Sequence, residues 1–261
     1  MCDKCSDTLH HQSLRQASLR QDIAPSRRSA MLFGAAAFGM TFAGGAFARG
    51  ALAKDAKQPP KPQNVLSPDA SLKRLMEGNG RYVAGVSRRH DFKHEREALA
   101  GGQNPFAAVL SCADSRIAPE YAFDAGRGDL FVCRVAGNFA GTETIASMEY
   151  AVAVLNTPLI LVLGHDACGA VDATLKAIKD NTSPPGHIPS LVDAIAPAAK
   201  AAMQQGGDVL NKAIRQNVVD NIAKLKTAAP ILNAAAEQGK LKVVGGIYRL
   251  TTGTVDLIAQ G

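Results

Sequence analysis

Cys112, Asp114 and Arg116 share the stretch Ser111-Cys112-Ala113-Asp114-Ser115-Arg116, and His165 and Cys168 share Gly164-His165-Asp166-Ala167-Cys168-Gly169. Two thiolates and an imidazole make a donor set that suits zinc. A histidine and a cysteine with two residues between them can reach one ion from a single turn, and Cys112 supplies a third contact from elsewhere in the chain. Three protein ligands leave a fourth position for water, which is the arrangement of a catalytic zinc. The alternative is a closed site in which Asp114, two residues from Cys112, completes the shell.

Charge constrains what such a centre could do. Zinc with two thiolates is formally neutral, so it acidifies bound water less than zinc on three imidazoles, whose water titrates at about pH 7. Activity is therefore expected to rise toward alkaline pH. Arg116 can hold the Asp114 carboxylate by a bidentate pair and keep it ionised. Asp114 would then accept a hydrogen bond from zinc-bound hydroxide and orient its attack. Breaking the pair would free Asp114 to displace the water.

Positioning these residues requires strands. Phe106 to Leu110 and Leu159 to Leu163 are short apolar runs that predict buried strands immediately before the two stretches. Both sets of side chains then sit at carboxyl ends of strands, where ligands gather in α/β sheets. Further strands are expected over Asp129 to Arg134 and Leu241 to Ile247, with a hairpin over Tyr248 to Ile258 at the sheet edge. Ser67-Pro68-Asp69 opens a helix carrying Leu72, Leu75 and Met76, which Gly78-Asn79-Gly80 is expected to interrupt. Pro119 to Asp124 predicts one helical turn, and longer helices follow at Thr142 to Leu155, Ala170 to Ile178, Leu191 to Ala202 and Val209 to Ala228. The alternation implies an α/β fold with a mainly parallel central sheet flanked by helices. His90 and His94, in the charged stretch 81–100, fit a solvated helix face better than a ligand pair.

The chain of 261 residues, 46% hydrophobic, can bury one ample core. Of its formal charge of +6, residues 1–53 contribute six Lys/Arg and three Asp/Glu, leaving 23 basic against 20 acidic residues beyond them. That small, scattered excess gives no nucleic-acid signal. Five cysteines form no disulfide framework. Cys133, in Leu130-Phe131-Val132-Cys133, has the setting of a small buried residue. Cys2 and Cys5 have knuckle spacing, with His10 and His11 nearby, but no second half completes them.

Residues 1–53 resemble an export signal: Ser26-Arg27-Arg28 precedes the uncharged stretch Ser29 to Ala48, and Ala46-Phe47-Ala48 and Ala51-Leu52-Ala53 offer cleavage sites. The paired arginines resemble a twin-arginine signal. Gly34, Gly39, Gly44 and Gly45 argue against a permanent membrane span. A periplasmic or secreted protein is expected. Residues 54–66, with three prolines by Pro62, predict a linker, and residues 67–261 the folded domain.

Cys112-Ala113-Asp114-Ser115-Arg116, Gly137-Asn138 and Gly164 through Val171 together resemble the β-class carbonic anhydrases, a likeness running from about Leu72 to Gly253. The resemblance implies zinc on Cys112, His165 and Cys168, a dyad of Asp114 and Arg116, and reversible hydration of carbon dioxide to bicarbonate and a proton. It also implies a homodimer whose amino-terminal helices embrace the partner. Gln103 matches a glutamine that, in the plant-like branch, donates a hydrogen bond to substrate. Phe131 and Tyr150 match that branch's apolar and phenolic lining near the dimer interface. The other branch carries a tryptophan where Val109 stands, and there bicarbonate locks the site. Arg134 matches its bicarbonate-contacting arginine, but without the tryptophan no lock is expected. Two rival functions share the same residues. One is hydrolysis of carbonyl sulfide or carbon disulfide. The other is zinc storage or thiol redox chemistry, which leaves Asp114 and Arg116 without a task.

Overall fold

Apolar runs without polar alternation belong in strands covered on both faces, and two such runs form the centre of the sheet. In the computed structural model, which describes residues 66–260, β1 is Ala107–Ser111 and β3 is Leu159–His165, every residue of both buried. With β2 (Leu130–Arg134), β4 (Lys242–Tyr248) and β5 (Val255–Gln260) they form one sheet in the order β2-β1-β3-β4-β5. The pairs β1/β2, β1/β3 and β3/β4 are parallel, and the β4–β5 hairpin is antiparallel. The expected α/β fold with a mainly parallel sheet is therefore present. The export-signal residues, Cys2 and Cys5, and the linker up to residue 65 lie outside the described residues.

Strand order dictates where a ligand can sit. The chain leaves β1 for β2 on one side, then crosses back to β3 on the other. This reversal opens a crevice at the carboxyl ends of β1 and β3. Ser111 pairs with Leu163 across that junction, so Cys112 emerges beside Gly164 and His165. The second motif departs from expectation by one detail. β3 continues through His165, which pairs with Tyr248, so a strand rather than a turn aims the imidazole.

Alternation along the strands divides the core. Ala108, Leu110, Ile160 and Val162 face the helices α4 (Thr142–Ala153), α5 (Gly169–Lys179), α6 (Pro189–Gln205), α7 (Val209–Lys226) and α8 (Ile231–Glu237). Ala107, Val109, Leu159 and Leu161 face α1 (Pro68–Val83) and the single turn α3 (Pro119–Ala122). Among the described residues no helix is long and apolar enough to cross a membrane.

α1 opens as expected, with Ser67 Oγ accepting from Ala70 N at 3.2 Å. It is not interrupted at Gly78-Asn79-Gly80. Asn79 is buried there, its Nδ2 donating to the carbonyls of Ala122 (2.9 Å) and Gly253 (2.8 Å) and its Oδ1 accepting from Val255 N at 3.0 Å. Gly78 lies so close to the Phe123 carbonyl that a Cβ would collide with it. Three long-range hydrogen bonds and one close packing contact outweigh a local propensity deficit of about 1 kcal/mol per glycine.

The charged stretch also divides. α2 covers only Phe92–Leu99, and His90 precedes it, stacked on Phe92 at 5.9 Å with its Nδ1 3.2 Å from Glu95. His94 pairs instead with Asp91 at 2.6 Å. The join between α1 and this stretch is held by buried Asp124, which accepts from Arg81 Nε (2.6 Å), Arg88 N (3.0 Å) and Ser87 Oγ (3.2 Å). Burial pushes the Asp124 carboxyl up, and those three donors more than offset it, holding it below the usual carboxylate range.

Candidate metal centre

Cys112 follows β1, His165 ends β3, and Cys168 is the residue on which α5 begins. Their ligand atoms all lie within 4.8 Å of one another, and all three residues are buried. The His165 imidazole is wholly buried; its Nδ1 donates to the Asp166 carbonyl at 2.8 Å, while Nε2 has no hydrogen-bond partner. A buried polar atom without a partner is costly. Here the tautomer fixed at Nδ1 leaves the Nε2 lone pair facing the two sulfurs, as in metal-ligating histidines generally.

The two thiols cannot ionise independently. Cys112 is pulled down to about 4, chiefly by the adjacent Cys168 thiol, with help from His165 and the backbone N–H groups of Gly137 and Asp114 against the cost of burial. Cys168 moves the opposite way, because the charge on Cys112 and its own burial outweigh the N–H groups of Ala170 and Val171 at the start of α5. Burial disfavours protonation of His165, and the neighbouring Cys112 sulfur reverses the balance, raising it. Two sulfurs this close both ionise when a divalent cation lies between them. The donor chemistry, the burial and the free Nε2 together fit a Cys-His-Cys metal site.

Asp114 stands beside the three. Arg116 Nε donates to its Oδ1 at 2.9 Å and a terminal guanidinium nitrogen to its Oδ2 at 2.7 Å, and the Arg116 backbone N–H adds 2.9 Å to Oδ1. The Arg116 guanidinium holds the Asp114 carboxyl well below the usual carboxylate range, against a smaller opposing effect of burial. Its Oδ2 is 3.9 Å from His165 Nε2. The carboxylate is thus close enough to address a molecule at the centre yet committed to arginine.

Arg134, from which no lock is expected, is engaged with the backbone. Its guanidinium donates to the carbonyls of Cys112 (3.0 Å), Asp114 (2.7 Å) and Ile117 (2.8 Å), so it clamps the ligand loop onto β2. Val109, in the position of the other branch's tryptophan, is wholly buried in the core. Cys133 is partly buried in β2, and its burial pushes the thiol up.

Gln103, Phe131 and Tyr150 are not gathered around Cys112 within one chain. Phe131 and Tyr150 meet, ring centroids 6.3 Å apart. Yet Phe131 is the second residue of β2, and Gln103 is exposed in the loop that enters β1, so both lie toward the amino end of the sheet. Five residues of β1, about 16 Å of strand, separate that end from the metal ligands. Gly137, legible in sequence only as part of the family motif, contacts Cys112 directly, and Asn217, which sequence reasoning missed, contacts it through one link. The signal available for Asn217 was a pair of asparagines four apart on the otherwise apolar buried face of α7.

A doubly wound sheet with a buried two-cysteine, one-histidine centre at its switch point defines a class of α/β metalloprotein. The family described as carbonic anhydrase matches residues 107–255. Carbonic anhydrase 2 of Mycobacterium tuberculosis is 41% identical over 188 residues, covering 72% of this chain and 91% of its own. Carbonic anhydrase of Mycolicibacterium smegmatis is 38% identical over 192 residues, covering 73% of this chain and 93% of its own. Among solved structures, the β-carbonic anhydrase CcaA aligns with a TM-score of 0.57 at 29% identity, covering 72% of this chain and 91% of that one. A Coccomyxa β-carbonic anhydrase, solved in complex with acetazolamide, aligns at 0.56 and 27% identity, covering 72% and 81%. The chain belongs to the β-carbonic anhydrase family.

Proposed function

We propose that this protein carries out the reversible hydration of carbon dioxide to bicarbonate and a proton, with one zinc per subunit held by Cys112, His165 and Cys168. The observation that carries the reading is the convergence of three buried ligand atoms within 4.8 Å beside a carboxylate already bound by arginine. A zinc ion held there would supply the Lewis acidity that turns water into a hydroxide nucleophile, at higher pH than a three-imidazole site does. Asp114, kept ionised, accepts a hydrogen bond from the attacking oxygen and orients its lone pair toward carbon. Arg116 keeps Asp114 from turning inward, and the Asp166 carbonyl keeps the His165 tautomer that leaves Nε2 free.

The plant-like, unlocked reading is supported by Val109 in the core and by Arg134, whose Nε and one terminal nitrogen are taken up by three backbone carbonyls. Substrate contacts from Gln103, Phe131 and Tyr150 then come from a second copy of the chain. A homodimer also gives a partner to the exposed side chains of Phe92, Val86 and Tyr121, which line one surface cavity of about 770 Å³. In a two-fold dimer the same patch serves both copies, so each site is completed reciprocally.

Residues 1–53 are proposed as a twin-arginine-type export signal, 54–66 as a linker and 67–261 as the catalytic domain, giving a periplasmic or secreted enzyme. Replacing Arg27 and Arg28 together by lysine is expected to retain the protein in the cytoplasm, as followed by fractionation; undiminished export refutes the assignment.

Stopped-flow hydration of carbon dioxide by the zinc-loaded protein tests the function. Turnover is expected to climb from pH 7 to 9 and to be unaffected by added bicarbonate beyond simple product inhibition. Zinc-loaded protein that turns over carbonyl sulfide or carbon disulfide but not carbon dioxide overturns the substrate, and cooperative bicarbonate inhibition overturns the unlocked site.

A further inference from the structure

Behind the Cys112 sulfur runs a chain of polar contacts that the reaction itself does not use. Gly137 N–H donates to Cys112 Sγ at 3.3 Å. The carbonyl of the same glycine accepts from Asn217 Nδ2 at 2.8 Å, across 80 residues of sequence. Asn217 is 2% exposed, in the middle of α7. One turn later Asn221 donates to the Asn217 carbonyl (2.7 Å) and to Asn217 Oδ1 (3.1 Å), and its own Oδ1 accepts from Ala140 N at 2.7 Å. Two asparagines on one helix therefore strap both ends of the loop 137–140.

The loop could not hold this shape unaided. Gly137 at φ +85° and Asn138 at φ +42° are consecutive left-handed residues, a conformation that L-residues avoid. At Gly137 a Cβ is excluded twice, by that φ and by the Ile195 side chain occupying its place. Glycine is also the residue least able to keep its two flanking peptides in a fixed relation. With the N–H side directed at sulfur, the restraint must come from the following peptide, whose carbonyl is held by Asn217 and whose N–H, that of Asn138, donates to the Val135 carbonyl at 2.9 Å. The same turn of α7 reaches the second ligand loop. Val218 fills the space beside Gly164, 2.7 Å from where a Cβ would stand, and Gly164 precedes His165.

We propose that Asn217 is a positioning residue of the metal centre: by holding the Gly137 carbonyl it aims the Gly137 N–H at Cys112 Sγ, fixing the sulfur's direction and drawing electron density from the thiolate. The proposal rests on Cys112 being a zinc ligand. Outer partners of metal ligands are worth about 10- to 100-fold in metal affinity, and a hydrogen bond to a coordinating sulfur also alters its electronic transitions.

The test compares Asn217→Asp, which keeps the volume but presents an acceptor to the Gly137 carbonyl, and Asn217→Ala with Leu225→Ala, a core truncation two turns along α7 and outside the asparagine pair. Zinc affinity is measured by chelator competition at pH 7. The sulfur-to-cobalt charge-transfer band is recorded on the cobalt-substituted protein. Both Asn217 variants are expected to bind zinc about 10- to 100-fold more weakly and to show a red-shifted band, whereas Leu225→Ala melts earlier with affinity and band unchanged. Wild-type affinity and spectrum in a folded Asn217 variant, or equal shifts in Leu225→Ala, overturn the proposal. Hydrogen exchange of the Gly137 amide in the unmodified zinc protein gives a readout free of mutation: protection like that of α7 supports the contact, and rapid exchange overturns it. Failure of the unmodified protein to bind zinc would instead sink the metal reading of the site.

Discussion

Cys112→Ser is expected to leave the fold intact, drop zinc content to a small fraction of one ion per subunit and lower kcat/KM for carbon dioxide by about 10³-fold or more. The substitution changes one atom, at a residue 4% exposed, so a packing defect is a minor contribution. What changes is charge. Two thiolates neutralise a dication, and a serine hydroxyl does not ionise in the accessible range to replace one of them. The site also loses a soft donor where softness selects zinc. A metal's Lewis acidity is worth several kcal/mol of transition-state stabilisation, and each 1.36 kcal/mol is tenfold in rate, which sets the magnitude. Metal analysis by plasma mass spectrometry and stopped-flow rates on the same preparation check both halves. Stoichiometric zinc with wild-type turnover in Cys112→Ser would remove Cys112 from the ligand set.

The three candidate ligands were legible because they are rare residue types, Cys112 and His165 close behind apolar runs and Cys168 three residues on from His165, and apolar runs at this spacing become adjacent parallel strands. Nothing in that inference needs distant residues. Asn79 shows the opposite case. Its flanking glycines suggest a helix break, and only partners 43, 174 and 176 residues away keep α1 continuous. Arg134 could be read as an anion contact because a guanidinium offers several donors in either role. Three backbone carbonyls engage its Nε and one terminal nitrogen, and carbonyl positions are not written in side-chain types. Gln103 is nine residues before Cys112 in sequence, but an intervening strand turns nearness along the chain into separation in space. That separation is the ground for proposing that its role at the site is played from a second copy. The Asn217 and Asn221 pair had a visible spacing, yet its target on the loop 137–140 depended on the packing of α7 against the sheet.

Asp114→Asn is expected to retain one zinc per subunit and to lose about 10²- to 10⁴-fold in kcat, the usual worth of a positioned proton acceptor. The amide copies the carboxylate's shape and removes its charge. Asp114 now accepts from Arg116 through both oxygens. In asparagine one of those positions becomes an NH₂, so either a donor meets the guanidinium or a donor meets the attacking oxygen. A donor facing the guanidinium breaks the pair that holds the side chain in place, and a donor facing the attacking oxygen removes the acceptor that orients the nucleophile. Zinc stays because Asp114 lies outside the group of three converging ligand atoms. Arg116→Ala attacks the same pair from the other side. It releases a carboxylate whose Oδ2 is already 3.9 Å from His165 Nε2, free to take the fourth position and exclude substrate. The double variant Asp114→Asn with Arg116→Ala should therefore be no slower than the worse single one, the non-additivity of residues acting as one unit. Full activity of zinc-loaded Asp114→Asn would dismiss the dyad, and multiplicative losses in the double variant would dismiss the coupling between its members.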